Sequence, residues 1–359
     1  MRGPLRALVA PVAILLDNQT TGVMHGFPSV YFPVRVASLV AALLASAVWR
    51  EASLARAADP GPLPDVPCQV FPSDNVWNRD ISALTVHPLS DAYIASIGSD
   101  MPLHLDFGAG RYASLTIGIP YTVVPATQPL LAVKFTTNYA DESDPGPYPV
   151  PINARIEGGR RSPSPESDRH VLVVQEETCK VFELWRAYPK RHPKRWKAGA
   201  GAIWDLTSNA TRPAGLSSAD AAGLSVLAGL VRFDEVSRGE IRHALRFTAR
   251  RTQGSYVWPA RHEASDITDP SVPPMGTRVR LKADYDLSGF SPTTRVILTA
   301  LQRYGMILAD IGSNWQVSGT SDPRWDNDLL HEVEVITGAD FEVVDESGLI
   351  VDPDSAQSH

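Results

Sequence analysis

The sequence predicts a mainly β fold, a β-sandwich or distorted barrel with two flanking helices, and three observations carry that expectation. Segments at 112–117, 132–137, 170–175, 180–185, 240–249, 277–283 and 341–344 are of strand length and rich in β-branched and aromatic residues. Their partial alternation suits half-buried strands, whose side chains point to opposite faces in turn. Only two segments carry helix signals, and the regular strand–helix alternation of a doubly wound sheet is absent.

Both predicted helices have identifiable starts. In Ser217-Ser-Ala-Asp220 a hydroxyl at the N-cap precedes a carboxylate at the reciprocal capping position, ahead of an Ala/Leu-rich run to Val231. Ser291-Pro-Thr-Thr opens a run to Tyr304, where Pro292 suits the first turn and Gly305 ends the helix. Pro-rich stretches at 60–67 and 141–151 read as loops, as does 160–168, and the tail from Asp352 is expected to fray. No repeat or low-complexity block occurs and no junction interrupts the apolar pattern after residue 170, so residues 58–359 are predicted to form a single β-rich domain with long loops.

Residues 1–57 read as a signal and processing segment. A fourteen-residue apolar run at 36–49 follows Arg35 and precedes Ala55-Arg-Ala57, the pattern of a secretory leader and its cleavage site. It is shorter than the roughly 20 residues that a membrane-spanning helix needs. Met24 is an alternative start, because the apolar stretch at 5–16 otherwise puts a second leader-like segment in front of the first. The mature chain is therefore expected to be secreted and extracellular, with no stable membrane association after processing.

Composition narrows the partners. The chain is 43% hydrophobic and 20% charged, a globular balance, with a net charge of -7. Loss of residues 1–57, which hold five basic and two acidic side chains, takes that to -10. Such a chain lacks the basic footprint that nucleic acid or anionic lipid requires. Its two cysteines, Cys68 and Cys179, read as one disulfide in an exported protein or as two buried thiols.

Candidate chemistry concentrates where carboxylates adjoin aromatic rings. Glycoside hydrolysis uses one protonated carboxyl as acid and one carboxylate as base or nucleophile. Asp310 ends an apolar run, Glu183 lies between Phe182 and Trp185, and Asp205 follows Trp204, neighbours that can raise a carboxyl pKa. Trp315, Trp325 and Trp204, with Asn314 and Arg246, are the expected substrate-binding groups, since flat rings stack on sugars while polar groups take their hydroxyls. A salt bridge or cap explains each carboxylate equally well, and core packing each ring. Asp220 reads as a cap.

Histidines offer a different chemistry. His104-Leu-Asp106 and Asp168-Arg-His170 each place two polar groups on one strand face. With His243 they suit a metal site or the base of a polysaccharide lyase, in which Arg246 neutralises a uronate. Zinc spacings are missing, so no metal is assigned. Asp322, Asp326 and Asp328 crowd one loop, either a solvated turn or a calcium site. No Gly-x-Ser-x-Gly elbow occurs, and Gly158-Gly159 and the glycines at 199 and 201 lack a Walker lysine, so no nucleotide cofactor is expected.

Several segments carry a family resemblance: Ser73-Asp-Asn-Val-Trp77-Asn78, Asp168-Arg-His170, Gly201-Ala-Ile-Trp204-Asp205-Leu, Ser218-Ala-Asp220-Ala-Ala-Gly-Leu, His243-Ala-Leu-Arg246-Phe-Thr and Ala309-Asp310-x-Gly-Ser. On these the chain resembles an uncharacterised family of secreted bacterial proteins over most of residues 70–345. That resemblance implies no activity, substrate or catalytic residue. The residues themselves lead to an extracellular carbohydrate-active enzyme hydrolysing glycosidic bonds in a polysaccharide or oligosaccharide, with Asp310 as leading acid and Glu183 or Asp205 as its partner. A polysaccharide lyase using His170 or His243, and a non-catalytic glycan-binding or cell-envelope protein, are the alternatives.

Overall fold

The chain's central element is a six-stranded mixed sheet. The computed structural model describes residues 63–64, 66–160 and 167–359, so the expected leader lies outside the described residues. In spatial order the sheet contains His104–Asp106, Gln316–Ser318, Leu245–Ala249, Met306–Ile311, Arg278–Leu281 and Phe341–Val343. A second sheet orders Ala200–Asp205, Lys180–Trp185, Val171–Gln175 and Tyr121–Val124. A third joins Val133–Phe135, Lys194–Ala198 and Tyr188–Arg191, and Arg111–Tyr112 pairs with Leu115–Thr116 in a small hairpin.

The expected sandwich or barrel with two helices is therefore corrected. Among the described residues the strands fall into four separate sheets, three of them mixed and one an antiparallel hairpin, and none closes on itself. Among the described residues there are four α-helices, Ser90–Ile97, Phe233–Arg238, Pro292–Arg303 and Asn327–Leu330. Two physical reasons account for the difference. Parallel pairs, such as Leu245–Ala249 with Met306–Ile311 and Tyr121–Val124 with Val171–Gln175, need long connections that local alternation does not reveal. Val171–Gln175 and Arg278–Leu281 are buried along their whole length, so they lack the two-residue alternation of a half-solvated sheet.

The Pro292–Arg303 helix forms where its end signals place it. Ser291 Oγ accepts from the Thr294 backbone N–H at 3.3 Å, and Thr294, Ile297, Leu298 and Leu301 bury one helical face. Gly305 follows with φ of 65°, and a Cβ there would collide with the Val279 carbonyl oxygen.

The helix expected from Ser217 to Val231 does not form. Ser218 Oγ accepts from Asp220 N at 3.0 Å and donates to the Leu224 carbonyl at 2.5 Å. Asp220 Oδ1 in turn accepts from the backbone N–H groups of Ala222 (2.9 Å) and Leu224 (3.3 Å). These short side chains satisfy the local backbone in place of a helical ladder, which leaves only a 3₁₀ turn at Leu227–Gly229. The result is a buried polar turn lying against the end of the central sheet, where Ala222 N donates to the Ala309 carbonyl at 2.9 Å.

Cys68 and Cys179 form a disulfide with an S–S distance of 2.08 Å, tying the start of the described chain to the Val171–Gln175/Lys180–Trp185 turn. No helix among the described residues is long and apolar enough to cross a membrane. The disulfide joins positions 111 apart, and a loop of that length restrains the unfolded chain by about 4–5 kcal/mol in the chain-entropy picture. The double variant Cys68→Ser/Cys179→Ser is expected to lose roughly 2–5 kcal/mol of stability, read as a lower urea midpoint in an otherwise cooperative transition.

Candidate functional site

Residues from four of the segments singled out in the sequence meet at one end of the central sheet. Arg246 comes from Leu245–Ala249 and Asp310 from the adjacent parallel strand Met306–Ile311. Pairing between these strands shifts by one residue: Phe247 faces Leu308, but Thr248 faces Asp310. Without that bulge Ala309 would occupy the Arg246 side and Asp310 would point away, because neighbouring strand residues alternate between faces. On the other flank Ser318 Oγ accepts from Arg246 Nη1 at 2.7 Å.

The guanidinium also serves two carboxylates. Arg246 Nη2 lies 3.4 Å from Asp220 Oδ2 and 3.5 Å from Asp310 Oδ2, with the arginine 2% exposed. Burial pushes the Asp220 carboxyl up, Arg246 opposes this, Asp310 adds repulsion, and the pKa rises to about 7. Burial likewise raises Asp310 against the pull of Arg246, with the Asp168 carboxylate adding to the rise. Asp310 nevertheless keeps 23% of its side chain exposed, whereas Asp220 has none. Asp310 Oδ1 accepts from the Ile311 backbone N–H at 2.8 Å, so the group is oriented but open.

Beside it stands a buried ion pair. His170 Nδ1 lies 2.7 Å from Glu157 Oε2, and its Nε2 faces the Ala219 carbonyl at 3.0 Å. Two acceptors call for two ring protons, hence an imidazolium. Burial works against that charge but the Glu157 carboxylate outweighs it, raising His170 to about 9. Glu157 is lowered correspondingly, burial being overcome by the histidine.

Asp310 opens into a cavity of about 230 Å³ also lined by Asp168, Asp220, Ser217, Tyr139, Trp185 and His262. Trp185 Nε1 donates to Asp168 Oδ1 at 3.0 Å. Tyr139 meets Trp185 edge-on at 6.1 Å and His262 at 6.2 Å. The indole rests on the backbone of Gly199, where a Cβ would come within 2.5 Å of the ring. Ser217 is buried, and its Oγ has no hydrogen-bond partner among the described residues.

Several expected site residues lie elsewhere, which corrects the pairing and the ring wall anticipated from sequence. Glu183 is fully buried and accepts from Trp204 Nε1 (2.9 Å), Ser225 Oγ (2.9 Å), Val226 N (3.1 Å) and Leu227 N (2.9 Å). Asp205 caps an exposed turn through Thr207 N and Oγ1 at 2.9 and 2.6 Å, and these bonds lower its pKa. Neither lines the cavity. Trp315 is wholly buried between Phe247 and Phe341, with its Nε1 donating to the Gly98 carbonyl at 2.8 Å. Trp325 packs between Phe107 and Phe233 with ring centroids 5.0 Å away on each side. Trp204 is spent on Glu183, and Asn314 accepts from Arg250 N at 2.7 Å while donating to the Ile97 carbonyl. Buried rings offer no face to a sugar, so these groups are core.

His243 belongs to a different network. Its Nε2 lies 3.0 Å from Glu235 Oε2, which neighbours Arg232, and its Nδ1 faces the Ala244 carbonyl at 2.8 Å. His104 sits apart, 3.6 Å from Glu334. Asp322 forks onto Arg324 at 2.8 and 2.6 Å, and Asp326 caps the Asn327–Leu330 helix. Among the described residues no three His, Cys, Asp or Glu side chains group as metal ligands. Trp185 was missed because it ends a segment that reads as a strand, and Tyr139 because it falls between a predicted strand and a predicted loop. The available signal was Gly199-Ala200-Gly201, small residues opposite an aromatic strand end.

No family model matches the chain, and no curated protein or solved structure matches it either.

The His170–Glu157 pair links stability to pH. A histidine raised from 6.5 to about 9 contributes stability that is fully present below pH 6.5 and disappears as pH rises through about 9. Asp220, raised from 3.8 to about 7, adds a loss of the same sign that is largely complete earlier. Between pH 6.5 and pH values above 9, wild type is expected to lose on the order of 3 kcal/mol through His170. Urea midpoints across that window measure it, and the His170→Gln variant is expected to show a much flatter profile.

Proposed function

We propose that the Asp168–Asp310 cavity binds a sugar unit of an oligosaccharide or polysaccharide and hydrolyses its glycosidic bond. One observation carries the reading: two carboxyl groups, one with a raised pKa, share a solvent-open cavity beside the rings of Trp185 and Tyr139. Hydrolysis needs a protonated carboxyl to donate to the leaving oxygen and a carboxylate to act as base or nucleophile. Asp310 takes the acid role, oriented by Arg246 and the Ile311 N–H. Asp168, held by the Trp185 indole, takes the other. Trp185 and Tyr139 supply the ring surface that the deeply packed Trp315 and Trp325 cannot.

At about 230 Å³ the cavity falls below the roughly 300–1,000 Å³ typical of drug-sized ligands. It therefore suits one sugar unit, with the rest of a polymer outside. Lyase chemistry is less well supported, because both ring nitrogens of His170 and of His243 are already engaged by oxygen atoms of the protein, and His243 lies outside the cavity. The disulfide and the leader-like segment support an extracellular setting, where such a bond persists.

A screen of plant, fungal and bacterial wall glycans for new reducing ends tests the reading. Asp310→Asn is expected to lower kcat by roughly 10²–10⁴-fold, the usual worth of a general acid, with sugar binding retained. Asp168→Asn is expected to be comparably impaired, and Asp205→Asn unaffected. Activity should decline as pH rises through the elevated pKa of Asp310, since the donor must carry its proton. Sugar binding without product release from any glycan would leave a binding protein in place of a hydrolase.

A further inference from the structure

We propose that the cavity selects a cationic sugar unit, one bearing a free amino group, over neutral, N-acetylated and uronic-acid units. This rests on the sugar-site reading above and adds the charge of the ligand. The carboxyl groups of Asp168 and Asp310 open onto the space, and the enclosed Asp220 carboxyl shares Arg246 with Asp310. The cation nearest them is Arg246, and its one guanidinium is already divided between Asp220 and Asp310. His170 is spent on Glu157. Among the described residues Asp168 forms no ion pair, and its hydrogen bond comes from the neutral indole of Trp185. Asp168 is therefore a carboxylate at the wall with no paired cation among the described residues, a place that a ligand ammonium fills.

The remaining wall chemistry points the same way. Trp185 and Tyr139 stand beside Asp168, and ring faces next to a carboxylate attract an ammonium through both quadrupole and charge. Arg186 lies over the Trp185 ring at 5.3 Å but is not part of the cavity lining. Ser217 provides the independent sign of a ligand. It is 4% exposed, its backbone N–H is held by Glu142 Oε2 at 2.9 Å, and its Oγ has no partner among the described residues while the residue lines the cavity. A buried hydroxyl without a partner costs free energy that a ligand amine or hydroxyl recovers. A uronate would meet like charge, with Arg246 already engaged, and an N-acetyl group would bring bulk without charge.

The test uses the full chain and four monosaccharides: glucosamine, glucose, N-acetylglucosamine and glucuronic acid, measured by calorimetry at mildly acidic pH and low salt. Glucosamine is expected to bind at least about tenfold more tightly than glucose, as one charge-assisted contact implies, and the preference should shrink with added salt. Asp168→Asn should abolish the preference, and Ser217→Ala should weaken glucosamine binding in wild-type-like protein. Equal affinity for glucose and glucosamine, tighter glucuronate, or no binding of any of the four would overturn the inference. The wild-type comparison stands even if a variant fails to fold. Glucosamine preference without glycan hydrolysis would remove the hydrolase reading and leave this one, whereas hydrolysis of neutral glycans without amine preference does the reverse.

Discussion

A buried guanidinium is the constraint around which the site end of this protein is arranged. Taking the Arg246 charge out of water is expensive unless partners meet it, and removing one partner of such a group costs more than the pair contributes. The partners come from three places: Asp220 from a turn, Asp310 from the neighbouring parallel strand, and Ser318 from the antiparallel one. The turn at Asp220 is held in its non-helical path by its own side-chain bonds, and Ala219 within it receives His170 from the second sheet. One charge thereby fixes how turn, central sheet and second sheet meet, and the cavity lies at that meeting point.

Similar buried ions recur away from the cavity and make clear which polar groups are structural. Arg278 bonds the Tyr304, Val76 and Arg79 carbonyls as well as Glu346 at 2.9 Å. Glu183 is saturated by four donors, and Glu235 joins Arg232 to His243. Each leaves little capacity for a ligand. Asp168 and Ser217 differ, because one has a single neutral donor and the other a hydroxyl without a partner, and both line the same space.

Legibility in the sequence followed how local the determining physics is. The Pro292–Arg303 helix, the Lys180–Trp185 strand and the single cysteine pair were readable because capping, short-range pattern and residue count specify them. The importance of Arg246 and Asp310 was readable as chemistry, but not their meeting, which depends on a one-residue bulge between strands more than fifty positions apart. Ser217-Ser-Ala-Asp220 misled because short polar side chains that cap a helix serve a tight turn equally well, and the choice is made by burial against the sheet. Trp315 and Trp325 misled for a related reason. Their polar neighbours bond inward to backbone, as Asn314 does to the Ile97 carbonyl, so polarity in the sequence did not mark exposure in the fold.

The two carboxylates on Arg246 receive different roles from the same cation. Asp220 is enclosed, with Oδ1 accepting two backbone N–H groups and Oδ2 on the guanidinium, so both of its oxygens are engaged in structure. Asp310 has one backbone donor and the same guanidinium, yet it reaches the cavity and remains partly exposed. Burial raises both Asp220 and Asp310, repulsion among the acidic groups adds to it, and the locked turn leaves Asp220 no room to move away. Of the two acids so raised, Asp310 is the one whose side chain is open, so its proton is the one within reach of a ligand.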